Sequence, residues 1–580
     1  MRFSFLAGRR GYRLGVAAAI VIALPTLCFG FFVDDYWHLM KIERGGPLSA
    51  RLETFAFGMG DPEHIMAEMR TGPYPWFMDK EFKARFFRPL AGALMVFDRA
   101  LFGRCAPAYH LHSVLWHGLL ALGAMLVVRR AFSPAVGVLG LFLFVLDESH
   151  AFPVAWWSNR NAVTATAFGF LGVAAHLRWR EEGWKAGLPL SLCAFAAGLL
   201  SAEISLGALA YVLAYELFGA RDGSRRRAYC LLPAALLAIG HVLFYKWGGY
   251  GASDSGLYLD PLSEPANYLS VAPRRFLALM SAQFFMLPVE AAIIHPPLMG
   301  GFIVAGAVAL GVVAAALWHL WPRLEEQERR ALGWLIPGAL LAALPALAAI
   351  VSSRVLLPAS LGGAAVIAAI IAHVWRAGPV GIARPLRGLM WFFIVAHLVV
   401  AALSWPIQVA ALRGLNEVLC RIMRNAEIDE TQIEERRIVI VNTPDPFTGM
   451  YGLMLRHFDG KPPPRAWWTL SIAPFDHRLT RTAERTMELE IVNGQMMTGT
   501  FERLFRSAKR PLRPGDALDL EGLVVTVLDV ADQGPTRIRL EFAEPPESDV
   551  YQIIAFQDRA FRRLIPPRIG ESVIVPFLFP

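Results

Sequence analysis

Apolar stretches long enough to cross a lipid bilayer recur through the first 410 residues, and nothing else in the sequence limits the fold as strongly. The first is GVAAAIVIALPTLCFGFFV, Gly15 to Val33. About 20 apolar residues in a helix span the hydrocarbon core, where every backbone polar group needs an internal partner and a helix supplies one within the segment. Of the 580 residues, 55% are hydrophobic and only 18% charged. That balance excludes an ordinary soluble enzyme and predicts a polytopic α-helical membrane protein.

Short basic clusters set the threading: Arg129-Arg130, HLRWREEGWK (176–185), RDGSRRR (221–227), PRLEEQERR (322–330) and WRAGPVGIARPLR (375–387). Placing all of them in the cytoplasm, as the positive-inside rule requires, makes the intervening spans alternate in pairs. The expectation is about eleven spans, near 14–33, 109–128, 133–147, 160–176, 186–201, 204–219, 228–246, 298–320, 332–351, 355–374 and 388–410. Segments 86–103 and 274–296 are apolar, but as full spans they would carry arginine clusters outside. Both are therefore expected as juxtamembrane or re-entrant helices on the exported face. Arg2, Arg9, Arg10 and Arg13 precede the first run and no small-residue cleavage site follows it, so it reads as an uncleaved first helix with a cytoplasmic N-terminus. An odd number of spans leaves the C-terminus outside. Arginines at helix ends account for the net charge of +8, so no nucleic-acid partner is implied. Cys28, Cys105, Cys193, Cys230 and Cys420 contain no CxxC and indicate neither a zinc site nor a disulfide framework. A Cys105–Cys420 bridge is compatible with the threading, with two unpaired thiols as the preferred reading.

The pattern changes after residue 410. An amphipathic segment, LRGLNEVLCRIMRNAEI, leads into period-2 stretches RRIVIVN, MELEIVNG, LVVTVLDV, TRIRLEF and VIVPFLF, separated by Pro, Gly and Asp. Alternation of this kind predicts half-buried strands. The expected organisation is a transmembrane domain over 1–410 with an exported loop at 34–108, followed by an exported, mostly β domain over 411–580.

On this threading the polar residues that interrupt apolar segments gather at one side of the membrane. Asp34 and Asp35 end the first run in FFVDDYWHL. Arg88, His110 and His117 precede or open the second span, and Glu148, His150, Asn159 and Arg160 follow the third. Glu203 and Arg354 occupy later turns. Ionisable groups at membrane depth are costly and mark function, so their convergence predicts an exported-side active site. Simpler roles compete: an interfacial cap for Asp35, a hydrogen-bonded core position for His110 and His117, a structural one for His112, and an aromatic belt for Trp37, Trp156 and Trp157. Arg354 has no acid nearby in sequence and suits a lipid phosphate.

Four segments carry a resemblance. FFRPLAGALMVFDRALFGRCAPAYHLHSVLWH (86–117) is similar to the YRPL, LD, LFG, YHL, NLLLH pattern of GT-C glycosyltransferases of the protein O-mannosyltransferase group. DESHAFPVAWWSNRNAV (147–163) resembles that group's HPVHVEAVAWISGR loop, SAEISLGALAYVLAYEL (201–217) its SKETALTLPLLLLLYEL segment, and SSRVLLPASLG (352–362) its ERYLYLPSLG turn. The resemblance implies a polyprenyl-phosphate-linked sugar donor and an acidic motif in the first exported loop. Asp34 and Asp35 match that motif by position, with the base role falling to Asp34 and a supporting one to Asp35. Ala202 stands where the group often has Lys, and Ser353 where it often has Glu.

Together these readings predict a glycosyltransferase of the bacterial inner membrane. It would move a sugar from a polyprenyl phosphate to an exported protein, lipid or glycan acceptor, with membrane lipids as its surroundings. Catalysis would rest on Asp34 and Asp35. Arg88, His110, His117, Glu148, His150, Asn159, Arg160, Glu203 and Arg354 would bind donor and substrate. No cofactor is required by the pattern. Mg or Mn on Asp34 and Asp35 is compatible with it, although no dedicated ligand cage is visible. Two other readings stand beside this one: a transporter or flippase of lipid-linked saccharides, which would favour repeated halves with broken helices, and an inactive glycan-binding scaffold.

Overall fold

The computed structural model describes residues 8–378 and 381–577. Arg2, residues 379 and 380 of the last basic cluster, and the end of VIVPFLF lie outside them. Among the described residues, seven helices are long and apolar enough to cross a membrane: Arg9–Cys28, Ala106–Ala131, Ser224–Trp247, Leu298–Arg323, Glu326–Ala348, Ser360–Ala377 and Arg384–Arg424. They mark an integral membrane protein. An eighth crossing results if Pro134–Val145 and Glu148–Ala155, bent by 45° at their junction, form one broken span. Asp147 makes that bend, its carboxylate accepting the Ser149 N–H (3.0 Å) while its carbonyl accepts Trp405 Nε1 (3.2 Å).

The three remaining expected spans also coincide with helices, but of a different kind. Gly187–Leu199 and Ser205–Gly219 are short. Arg160–Glu182 has the length and is buried along most of its course. Its polar residues are paired inside the protein, Arg180 reaching both Glu216 (2.7 Å) and Asp222 (2.9 Å). Hydropathy therefore overstates what the Arg160–Glu182 helix presents to lipid. The apolar segment 86–103 contains the helix Pro89–Phe102, and the segment 274–296 overlaps the helix Pro265–Phe285 and contains Ala291–Ile294. All five cysteines are unpaired.

The last long helix runs without interruption past residue 410 to Arg424. Beyond it lie two sheets. The first has six antiparallel strands in the order Ser572–Val575, Asp476–Ala483, Thr486–Val492, Pro535–Phe542, Leu523–Val530 and Ala517–Asp519. Its strands alternate buried and open residues, as Thr486–Val492 does throughout. The second has four strands, Ala560–Arg563, Tyr551–Gln557, Arg437–Ile440 and Ala466–Thr469, the last three mutually parallel. Tyr551–Gln557 is buried on both faces, as parallel central strands are.

These sheets share a core with the first loop. Phe31, Tyr36, Trp37, Leu39 and Phe55 belong to the same buried apolar cluster as Ile438, Trp467 and Phe556. Trp76 Nε1 donates to the Leu470 carbonyl (2.8 Å) and Trp468 Nε1 to that of Arg70 (2.9 Å). Gly72 ends the Pro62–Thr71 helix at φ 107°, and a Cβ there would lie 1.8 Å from the Trp467 carbonyl oxygen. Gly72→Ala combines a disfavoured backbone conformation with overpacking and is expected to cost roughly 1–3 kcal/mol. A lower melting temperature in detergent and easier proteolysis after Arg424 would show it; an unchanged melt would mean this contact does not hold the two parts together.

Candidate active site

FFVDDYWHL forms a sharp turn between the first membrane helix and the helix Asp34–Glu43. Val33 sits at φ 44° and ψ −104°. A β-branched residue there is strained, at a cost on the order of 1–3 kcal/mol, and persists only where its surroundings enforce it. Asp35 is the enforcer. Its buried carboxylate accepts the N–H groups of Phe32 (2.9 Å) and Ser158 (2.8 Å), and also the Ser158 hydroxyl. Burial pushes its pKa up to about 7, against the pull of those hydrogen bonds. Asp34, one helical step away, instead lines a cavity and accepts a hydrogen bond from the Tyr451 hydroxyl. Burial raises its pKa above the usual carboxylate range, opposed by Tyr451 and by the charge of Arg354.

Arg354 lies on the turn Ser353–Leu356, where its guanidinium donates to Asn159 Oδ1 (3.2 Å) and packs over the rings of Trp156 (5.1 Å) and Phe152 (5.6 Å). Among the described residues no carboxylate forms an ion pair with it. Burial lowers its pKa, while Tyr258, Asp34 and Glu290 favour the charged form. Glu290 accepts from the Ser352 hydroxyl (2.9 Å) and from the N–H (2.6 Å) and hydroxyl (2.7 Å) of Ser353. A carboxylate thus reaches Ser353 from another segment, at the position where the resembled pattern carries Glu. Glu148 lines the same space with Oε2 buried and unpartnered among the described residues.

A second polar group stands on the cavity wall. Arg88 donates to Glu203 Oε2 through Nε (2.9 Å) and Nη2 (2.7 Å), and Tyr245 donates to Glu203 Oε1 (2.9 Å). The cavity measures about 1560 Å³. Its other wall is apolar, formed by Phe285 and by Trp391, Phe392, Val395 and Val400 of the Arg384–Arg424 helix. One space is therefore lined by both apolar and charged side chains.

The structure brings Asp34, Arg88, Glu148, Asn159, Glu203 and Arg354 together around this cavity. His110, His117, His150 and Arg160 stand elsewhere. Arg160 pairs with buried Asp98, which also accepts from Trp157 Nε1 (2.9 Å) and bonds His112 Nδ1 (2.6 Å). His110 bonds the Gly30 carbonyl (3.1 Å), His117 that of Ala19 (2.9 Å), and His150 the Ser360 hydroxyl (3.1 Å), all three fully buried. Seven-residue spacing put His110 and His117 on one helix face, but that face packs against the first membrane helix and the turn after it.

Sequence reasoning missed Tyr451, Tyr258 and Glu290. A lone carboxylate within the apolar segment MLPVEAAIIHP could have marked Glu290, whereas nothing local marks Tyr451. Both Asp35 oxygens are committed, and among the described residues no three His, Cys, Asp or Glu side chains are disposed to hold one.

No family model matches the chain, and no curated protein matches it. Among solved structures it is similar to the oligosaccharyltransferase AglB from Archaeoglobus fulgidus in complex with an inhibitory peptide and a dolichol-phosphate, at 13% identity and a TM-score of 0.41 over 77% of this chain and 64% of that one. A second structure of the Archaeoglobus fulgidus oligosaccharyltransferase, tethered with an acceptor peptide, gives 14% and 0.39 over 72% and 63%. The chain thus spans slightly less than two thirds of those proteins. ArnT from Cupriavidus metallidurans bound to undecaprenyl phosphate gives 13% and 0.37 over 79% of this chain and 89% of that one.

The two adjacent carboxylates separate by experiment. Asp35→Asn puts an amide where the two oxygens meet three donors, leaving a buried N–H without an acceptor, and is expected to cost roughly 1–3 kcal/mol. Asp34→Asn retains an acceptor for Tyr451. Thermal melts should show a lower melting temperature for the first variant and a near wild-type one for the second; equal melts would contradict the assignment.

Proposed function

We propose that the chain is a GT-C-type membrane glycosyltransferase that moves a sugar from a polyprenyl-phosphate carrier to a hydroxyl acceptor on the exported face. One observation carries the reading. Arg354, free of any ion pair among the described residues, lines with Asp34, whose charge it feels, a cavity that apolar side chains also line. An amphiphile with an anionic head fits such a space: the isoprenoid chain lies along Phe285, Trp391 and Val395, and the phosphate meets Arg354, whose planar fork binds phosphate oxygens in pairs. The four resembling segments support the same class. The basic clusters support a cytoplasmic N-terminus, with the first loop and the region after residue 410 outside, and crossings by all eleven expected helices. The acceptor is a protein, a lipid or an envelope glycan.

The chemistry follows from these residues. Asp34 takes the proton of the acceptor hydroxyl, the acceptor oxygen forms a bond to the anomeric carbon, and the bond from that carbon to the phosphate oxygen breaks. The electron pair stays on the phosphate, where Arg354 stabilises the added charge. A single displacement inverts the anomeric centre. Asp34 must be ionised to act, so turnover falls as pH drops through its raised pKa, and the acid limb of the profile lies above the ordinary carboxylate range.

Purified protein supplied with a polyprenyl-phosphate sugar and an acceptor tests the reading. Asp34→Asn should lower turnover ~10²- to 10⁴-fold with donor binding retained. Arg354→Ala should weaken donor binding, and Arg354→Lys should restore it only in part. Wild-type turnover in Asp34→Asn, or unchanged donor affinity in Arg354→Ala, would contradict the proposal.

A further inference from the structure

The base proposed above is held from an unexpected direction. The hydroxyl that donates to Asp34 Oδ1 belongs to Tyr451, 417 residues further along the chain and beyond the last membrane helix. Tyr451 sits at the junction of two short helices, Pro446–Met450 and Gly452–Phe458. That junction is built to be rigid. Asp445 Oδ1 accepts the N–H groups of Phe447 (2.8 Å) and Thr448 (2.9 Å), and the hydroxyls of Thr443 and Thr448 share a hydrogen bond (2.8 Å). On the other side Trp467 packs so closely that a Cβ at Gly452 would lie 2.3 Å from its ring.

The Asp34–Glu43 helix lies against the same unit. Tyr36 meets the Phe458 ring edge-on at 5.2 Å, and His457 Nε2 bonds Glu43 Oε2 (3.0 Å). Position and orientation of Asp34 are thus set jointly by the turn behind it and the junction facing it.

We propose that Tyr451 is a positioning residue for the catalytic base, through which the C-terminal region completes the active site. The inference rests on the transferase reading for its functional meaning. A phenol donating to a carboxylate orients the oxygen left free for the acceptor and favours the anion. The groups facing Asp34 are Tyr451, Arg354, Tyr258 and, on its own helix, Asp35; Tyr74 faces Tyr451 in turn. Arg354 is the cation of this set, and Tyr451 supplies the direct hydrogen bond to the Asp34 carboxylate. Burial and the neighbouring carboxylate push the Tyr451 phenol well above its usual pKa, so it remains a donor at any working pH.

Tyr451→Phe tests this, since it removes one hydroxyl and keeps the ring that packs against Phe447 at 5.9 Å. The carboxyl C=O stretch of Asp34, isolated as the infrared difference between the full-length protein and Asp34→Asn, can be titrated without any ligand. Its midpoint is expected to rise by about one pH unit in Tyr451→Phe. With a polyprenyl-phosphate sugar as donor, kcat below that midpoint should fall about tenfold while the donor KM stays the same. A midpoint that does not move, in protein with a wild-type melt, overturns the proposal. Failure of the underlying reading shows separately, as turnover surviving in Asp34→Asn.

Discussion

The site depends on the buried carboxylate of Asp35. It ties the turn after the first membrane helix to the loop containing Ser158, and so holds Val33 in a conformation that a β-branched residue does not adopt unaided. Because the tie is made at the first turn of a helix, the next carboxylate must point elsewhere. Asp34 is thereby turned into the cavity, with the positive end of the same helix supporting its charge. The adjacency of two acids in FFVDDYWHL has a mechanical explanation: one builds the turn and the other faces the cavity.

A second constraint comes from the shared core of the first loop and the C-terminal sheets. Phe31, Tyr36 and Trp37 leave the membrane helix and enter the apolar cluster that contains Trp467 and Phe556. The Asp34–Glu43 helix packs directly on the Gly452–Phe458 unit, through Tyr36 on Phe458 and Glu43 on His457. Tyr451, from the region after residue 410, lines the same cavity as Asp34 and hydrogen-bonds it.

The apolar runs were legible because a helix in lipid must be apolar over its whole length, and the basic clusters because charge at helix ends is cheap only in water. Strands such as Leu523–Val530 were legible because burial on one face writes a period of two into the sequence. Tyr551–Gln557 was not, since burial on both faces erases that period. Asp34 and Arg354 could be found because each interrupts an apolar context. Periodicity could not separate His110 and His117 from cavity residues, because a helix face that meets another helix and one that meets a ligand share the same spacing. Tyr451 and Glu290 reach the site through tertiary contacts alone, and Arg160 left it by pairing with Asp98, an acid 62 positions away.

The proposed amphiphilic carrier would account for one space lined both by apolar residues of the Arg384–Arg424 helix and by Asp34 and Arg354. The most direct measurement is a cryo-electron microscopy structure of the protein in nanodiscs with polyprenyl phosphate. The account predicts phosphate density in contact with the Arg354 guanidinium, within reach of Asp34, and chain density along Trp391 and Val395. Lipid density absent from this cavity, or a phosphate bound away from Arg354, would contradict it.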